Sequence, residues 1–245
     1  MDKIAKLSQI LAESKNAVFF GGAGMSTESG IPDFRSAQGI YNEKFSRKVS
    51  PEEMVSHSFF VSHTEEFYAF YRAKLIYPEA EPNAGHRALA KLERKGILRA
   101  VITQNIDGLH QKAGSETVYE LHGSVLRNYC MKCHAFYPVE YVLQKQPVPY
   151  CEKCGGIVKP DVVLYEEGLD SELLGKAVEA IRAADTLIVG GTSLVVYPAA
   201  GLIDYFRGRS LVLINKSETS ADARADLVIH DAIGQVLSKS VETLG

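Results

Sequence analysis

A chain of 245 residues, 46% hydrophobic and 23% charged, has the makeup of an ordinary globule and suffices for one large α/β domain, or a main domain with a small insert. Its net charge of −3 argues against general nucleic-acid binding, which needs a basic footprint, while leaving a basic peptide open as partner. The longest apolar runs, such as Thr186 to Gly191, are far short of a membrane span. The opening MDKIAKLSQILAESKN carries Ile4, Leu7, Ile10 and Leu11 at amphipathic spacing, which predicts a surface helix rather than an export signal and makes the cytoplasm the expected location.

Ala17 to Phe20 predicts a buried strand that runs into Gly21-Gly22-Ala23-Gly24 and then Ser26-Thr27-Glu28, a helix start. Strand, glycine turn and helix N-terminus together make an anion site, because glycines admit a phosphate and first-turn N–H groups point at it. Gly22 and Gly24 fit the dinucleotide fingerprint, but Thr27 replaces its third glycine, and no acidic strand end follows about 20 residues on. A plain tight turn stays open as the alternative. Next come Gly30-Ile31-Pro32-Asp33-Phe34-Arg35 and a polar stretch, Gln38 to Ser58, read as a cover over the nucleotide with a short helix after Pro51.

Phe59 to Tyr77 is rich in aromatics, and Phe67, Phe70 and Tyr71 share a helical face suited to core packing. Pro82-Asn83 opens a helix that stops at Gly96. The strand Leu98 to Thr103 ends in Gln104-Asn105-Ile106-Asp107, where open α/β sheets place ligand contacts. A short helix leads to the strand Val118 to Leu121, which delivers His122-Gly123. Of the seven histidines, His122 alone stands at a strand end beside a glycine, just ahead of the cysteines.

Cys130, Cys133, Cys151 and Cys154 are the chain's four cysteines, two C-x-x-C knuckles with 17 residues between them. That spacing suits a four-thiolate zinc site; redox dithiols or disulfides are the alternative. With sulfur at all four positions no coordination site is open, so such a metal is structural. The segment 125–159 is expected to be a small zinc ribbon held by metal rather than by a core. The main fold is expected to resume at Asp161. A helix Ser171 to Ala183 and a strand Thr186 to Val189 follow, with a second glycine-polar turn at Gly190-Gly191-Thr192-Ser193. A helix near Pro198, strands Leu211 to Ile214 (ending in Asn215) and Leu227 to Ile229, then Asp231-Ala232 and a last helix complete the chain. This alternation predicts a Rossmann-like, doubly wound parallel sheet of about six strands, built from 1–124 and 160–245.

The ordered set GAGMST, GIPDFR, ITQNIDGLH, ELHG, the paired C-x-x-C, GTSL and the Asn215 strand end resembles the sirtuin family of NAD-dependent protein deacylases, over nearly the whole chain. The resemblance implies NAD in a cleft between a Rossmann-like domain and a zinc-bearing domain, with acetyl-lysine peptides as partners and a monomeric enzyme. It implies that Asp107 and the Ile106 backbone bind the nicotinamide carboxamide, that Asn105 holds a site water, and that Ser26, Asn105 and Gln104 orient the ribose. His122 is then the general base. Gly22, Ala23, Gly24, Thr27, Asp33, Arg35, Gly191, Thr192 and Ser193 border the phosphates and nearby sugar, Phe34 covers the reacting carbon, and Asn215, Asp231 and Ala232 border the adenosine half. Phe34, Val163 and Leu164 line the acyl-lysine tunnel, and the peptide pairs as an added strand between Tyr165-Glu166-Glu167 and Val195-Val196-Tyr197. Gly21 and Glu166 depart from the family pattern, which commonly has threonine and glycine there. The Tyr-x-x-Arg pair of members that take acidic acyl chains is absent, since Tyr68 and Arg72 are four apart and Tyr71 adjoins Arg72, so an uncharged acyl group is expected. ADP-ribosyl transfer to protein and a non-catalytic NAD-sensing zinc module are the competing readings.

Overall fold

A computed structural model describes residues 2–33 and 49–244. Six strands, β1 (Ala17–Gly21), β2 (Leu98–Thr103), β3 (Val118–Glu120), β7 (Thr186–Gly190), β8 (Ser210–Ile214) and β9 (Leu227–Ile229), form a parallel sheet in the order β3-β2-β1-β7-β8-β9. The chain winds outward from β1 to β3, crosses back, and winds the other way from β7 to β9. The switch point therefore lies between β1 and β7, where such sheets bind ligands at the strands' carboxyl ends. In that register Gly21 stands beside both Thr103 and Gly190.

Strand residues alternate between two cores. Phe19, Val101, Ile188 and Val212 face α1 (Lys3–Glu13), α5 (Ala84–Arg94) and α9 (Ile233–Glu242), which contribute Leu7, Leu11, Leu89, Leu92, Val236 and Leu237. Val18, Phe20, Ile102, Leu187 and Leu213 face α8 (Ser171–Ala183) and the 3-10 turns of Ala199–Tyr205. Both faces being covered explains why β1 and β7 are buried throughout. The helix expected near Pro198 is thus a 3-10 segment. Asn83 caps α5 by accepting from the Gly85 and His86 N–H groups, while its amide donates to Met25 O at 2.8 Å and fastens the helix to the turn after β1.

A second, antiparallel sheet has the order β5-β4-β6, from β4 (Gly123–Cys130), β5 (Phe136–Pro138) and β6 (Val158–Val162). Asp161 and Val162, expected to rejoin the main fold, pair with Ser124 and Gly123 in this sheet. Arg127 joins the two sheets, bonding Glu120 of β3 at 2.7 Å and Asp161 of β6 at 2.8 Å.

The aromatic segment packs on this smaller sheet. Phe59 and Phe60 of α3 (His57–Ser62) and Phe67, Tyr68 and Tyr71 of α4 (Thr64–Lys74) share a core with Val125, Val139, Val142, Val162 and Leu164. Tyr68 donates its hydroxyl to Val158 O. Arg72 lies over the Tyr68 ring and donates to Val142 O at 2.8 Å, Lys145 O at 2.6 Å and Pro147 O at 2.9 Å. Its guanidinium is committed to these carbonyls and is a staple between layers. No helix among the described residues is long and apolar enough to cross a membrane.

Candidate active site at the switch point

The turn after β1 is not the expected helix start. Two short 3-10 turns, Ala23–Met25 and Thr27–Ser29, follow, and Gly30 at φ +83° ends them. The glycines bring this turn against the one after β7. Gly22 N–H donates to Gly190 O at 3.3 Å and Gly24 N–H to Gly191 O at 2.8 Å, so both are spent on the neighbouring turn. Gly191 sits at φ +61°, and a Cβ there would lie 2.4 Å from Met25 N. These residues are glycine so that two backbones can cross. No described residue accepts from the N–H groups of Ala23, Thr27, Thr192 or Ser193, and all four lie in these two crossing turns. Donors without a partner among the described residues, set at a switch point, could hold a phosphate.

The end of β2 adds a hydrogen-bonded chain. Asn105 Nδ2 donates to Ser26 Oγ at 3.0 Å, and Ser26 Oγ donates to Asp107 Oδ2 at 2.6 Å. Asp107 Oδ1 accepts from Leu109 N–H at 2.9 Å, while Asn105 N–H is held by Thr103 Oγ1 at 3.0 Å. Burial raises the Asp107 carboxyl above its usual range, against the lowering hydrogen bonds from Ser26 and Leu109. A held, partly desolvated carboxylate of this kind suits the recognition of an amide N–H. Gln104 spans the switch point, its side chain donating to Thr192 Oγ1 at 3.1 Å.

His122 Nδ1 lies 2.9 Å from Gln104 O. A carbonyl only accepts, so Nδ1 carries the proton and Nε2 is left as the basic nitrogen, with no partner among the described residues. Burial lowers the His122 pKa, against the raising bond to Gln104, and so favours the neutral ring. The next residue must be glycine, because Gly123 has φ +75° and a Cβ there would meet Asp161 O at 1.9 Å. Gly123 starts β4, so His122 marks the joint between the two sheets.

Asn215 turns its amide to Ser217 O at 2.8 Å, and exposed Asp231 accepts from Ala232 N–H ahead of α9. Glu28, to which the sequence assigns no ligand role, accepts from Gly234 N–H of α9 at 2.6 Å and ties that edge to the turn after β1. Asp33 is half-buried. Phe34 and Arg35, with residues 38–48 of the expected cover, lie outside the described residues.

Beside His122, Val163 N–H donates to His122 O at 3.0 Å, and Leu164 is buried. Tyr165, Val195 and Tyr197 present exposed apolar surface, and Val196 is half-buried. The 164–167 loop is clipped to residues 55–58: His57 N–H donates to Tyr165 O at 2.9 Å and Tyr165 N–H to Val55 O at 3.1 Å. Glu167 is held by His57 Nδ1 at 2.9 Å and Lys159 Nζ at 3.1 Å. The only sequence cue to this clip was the departure at Glu166.

The sulfur ligand atoms of Cys130, Cys133, Cys151 and Cys154 all lie within 4.8 Å of one another. Lys132 and Cys133 N–H groups donate to Cys130 Sγ at 3.4 Å, and Tyr137 Oη donates to Cys151 Sγ at 3.1 Å, bringing that thiol down to about 6. Four sulfurs so close, with donors aimed at them, fit a tetrahedral thiolate set.

The Sir2 family model matches residues 22–198, so the chain belongs to the Sir2 family. A Clostridium perfringens protein named "NAD-dependent protein deacetylase" is 65% identical over 242 residues, 98% of this chain and 99% of that protein. A Sir2 histidine-to-alanine variant solved with deacetylated p53 peptide and 3'-O-acetyl-ADP-ribose superposes with a TM-score of 0.90 at 41% identity, over 99% of this chain and 98% of that one. A Sir2 complex with p53 peptide and NAD+ superposes at 0.87, also 41% identical, over 100% and 99%.

Proposed function

We infer that this chain is an NAD-dependent protein-lysine deacetylase, which moves the acetyl group of lysine to ADP-ribose and releases nicotinamide. One observation carries this most: the Asn105–Ser26–Asp107 chain and the free Nε2 of His122 share the sheet end that carries the unpaired N–H groups of Ala23, Thr27, Thr192 and Ser193. A protein that only sensed NAD would need the cradle but not a base.

NAD supplies an electrophilic ribose carbon as nicotinamide departs. The four N–H groups hold its phosphates, with Arg35 as a further contact, and Asn215, Asp231 and Ala232 border the adenosine half. Asp107 and the Ile106 backbone take the nicotinamide amide, while Ser26, Asn105 and Gln104 orient the ribose. His122 Nε2 accepts a proton from a ribose hydroxyl, and the Gln104 carbonyl stabilises the imidazolium so formed. Phe34, Val163 and Leu164 keep water from the acyl group, and an acetylated lysine, being neutral, enters such surroundings at lower desolvation cost than a lysine cation. The peptide pairs as a strand between Tyr165-Glu166-Glu167 and Val195-Val196-Tyr197.

The four cysteines hold one structural zinc ion, in a small domain centred on 125–159 that is inserted in the NAD-binding domain. Thiols kept as metal ligands suit a reducing compartment such as the cytoplasm. Mass spectrometry of the products from NAD and an acetyl-lysine peptide tests the assignment. The expected products are free lysine peptide, nicotinamide and O-acetyl-ADP-ribose. Nicotinamide release with ADP-ribose attached to protein and the acetyl group retained would establish ADP-ribosyl transfer instead.

A further inference from the structure

We propose that Glu166 is a positioning residue for the acyl peptide: its carboxylate, anchored on Ser58, fixes the backbone conformation in which its own N–H and C=O are presented to the incoming strand. This rests on the peptide cleft assigned above.

Glu166 is a non-glycine residue at φ +76°, a left-handed conformation that L side chains adopt rarely. Its side chain offsets that cost locally. Ser58 N–H donates to Glu166 Oε2 at 2.9 Å and Ser58 Oγ donates to Oε1 at 3.0 Å, a two-point anchor on an ionised acceptor. The anchor completes a larger clip. Three first-turn N–H groups of α3 are satisfied in sequence: His57 by Tyr165 O, Ser58 by Glu166, and Phe59 by Ser56 Oγ at 3.2 Å.

Among the described residues of the 164–167 loop, Glu166 alone has both its N–H and its C=O without a partner. Tyr165 spends its N–H on Val55 O and its carbonyl on His57 N–H. Leu164 spends its N–H on Glu167 Oε2 at 2.9 Å and its carbonyl on Glu167 N–H at 3.0 Å. Among the described residues, none bonds the N–H or C=O of Glu166. A strand entering this rail therefore meets the backbone of Glu166, held by its own side chain. A glycine in its place reaches the same conformation without strain but has nothing to hold it there.

The test is steady-state kinetics of the full-length, zinc-loaded protein with an uncharged acetyl-lysine peptide. Glu166→Gly removes the anchor without adding backbone strain and should raise the peptide KM about tenfold, with kcat and the KM for NAD within about twofold. Glu166→Gln keeps one acceptor and one donor for Ser58 and should stay within about threefold of wild type. Ser58→Ala should have little further effect in the Glu166→Gly background. An unchanged peptide KM in Glu166→Gly overturns the proposal, as does a Glu166→Gln as impaired as Glu166→Gly, which would make charge the cause. Loss of kcat together with a lowered melting temperature also overturns it, by making the residue merely structural. Tyr197→Ala separates this proposal from the cleft itself. If it raises the peptide KM while Glu166→Gly does not, the cleft stands and the anchor falls; if neither moves it, both fall.

Discussion

The two sheets are held together by different means. The parallel sheet is covered on both faces by helices and 3-10 turns, with Leu, Ile, Val and Phe filling two separate cores. The smaller sheet has, around its cysteines, a cluster whose buried members are Cys130, Tyr137, Cys151 and Val158. It borrows the rest of its stability from α3 and α4, through the aromatic core and the Tyr68 and Arg72 bonds. The contrast teaches that one half is self-sufficient while the other depends on sulfur chemistry and on a neighbour. The proposed active site stands at the joint, with the unpaired N–H groups of the proposed phosphate cradle on the first half and the His122–Gly123 turn leading into the second. Binding can survive damage that abolishes chemistry.

The largest effect separating the halves should come from the metal. Cys130→Ala, or a strong chelator, should unfold or aggregate the smaller sheet and abolish deacetylation, because structural zinc contributes folding energy outright. Circular dichroism should report a surviving parallel α/β core. A soluble, active, zinc-free Cys130→Ala protein would remove the basis of the contrast.

Acid should act on the other half. His86 and His110 are buried in contact, ring centroids 4.7 Å apart, near Phe19 in the main core. Burial lowers His86 to about 4 and His110 well below its usual value. His86 Nδ1 accepts from Asn83 N–H at 3.3 Å, which requires the neutral ring. Because the unfolded histidines titrate near 6.5, the unfolded chain binds more protons below that pH. Stability should be full above about 6.5 and fall toward pH 4, by about 3 kcal/mol for His86 alone. Denaturant titrations should show this slope, and His110→Phe should flatten it. A slope unchanged in His110→Phe would show that His110 contributes none of it, leaving His86 as its source.

A smaller difference concerns the acyl group at the joint. Arg72, the cation nearest in sequence to a Tyr-x-x-Arg arrangement, is bound to three carbonyls of the smaller half. An unpaired carboxylate in an apolar tunnel costs several kcal/mol, so acetyl peptide should exceed succinyl peptide in kcat/KM by at least about a hundredfold. Comparable values for the two peptides would mean that a cation reaches the tunnel.

Much of this was legible in the sequence. The strand Leu98 to Thr103 and the helix Ser171 to Ala183 stand where periodicity predicts them, because strong apolar patterns coincide there with flanking polar residues. Asn105 and Asp107 were legible as polar residues after a strand end, while their gathering with Ser26 was implied by the family resemblance. What could not be read was anything set by the register between distant strands. Gly22 and Gly24 fit the dinucleotide fingerprint, but the bonds of their N–H groups to Gly190 and Gly191 exist only once β1 lies beside β7. The tautomer of His122 depends on a carbonyl 18 residues away. Ser56-His57-Ser58 lay in a polar stretch without periodicity, so its clip on the 164–167 loop left no local signal beyond the oddity of Glu166.

The central claim is that His122 serves as the base at a site whose NAD-binding groups lie elsewhere. It is tested most directly by measuring NAD affinity and deacetylation rate together in His122→Ala. The variant should fold, keep its zinc and bind NAD nearly as well as wild type, since the cradle and Asp107 are intact. Its rate should fall by about 10² to 10⁴, the usual cost of losing a positioned base. Unchanged deacetylation would show that the base lies elsewhere, and loss of NAD binding in step with rate would make His122 part of the binding site instead.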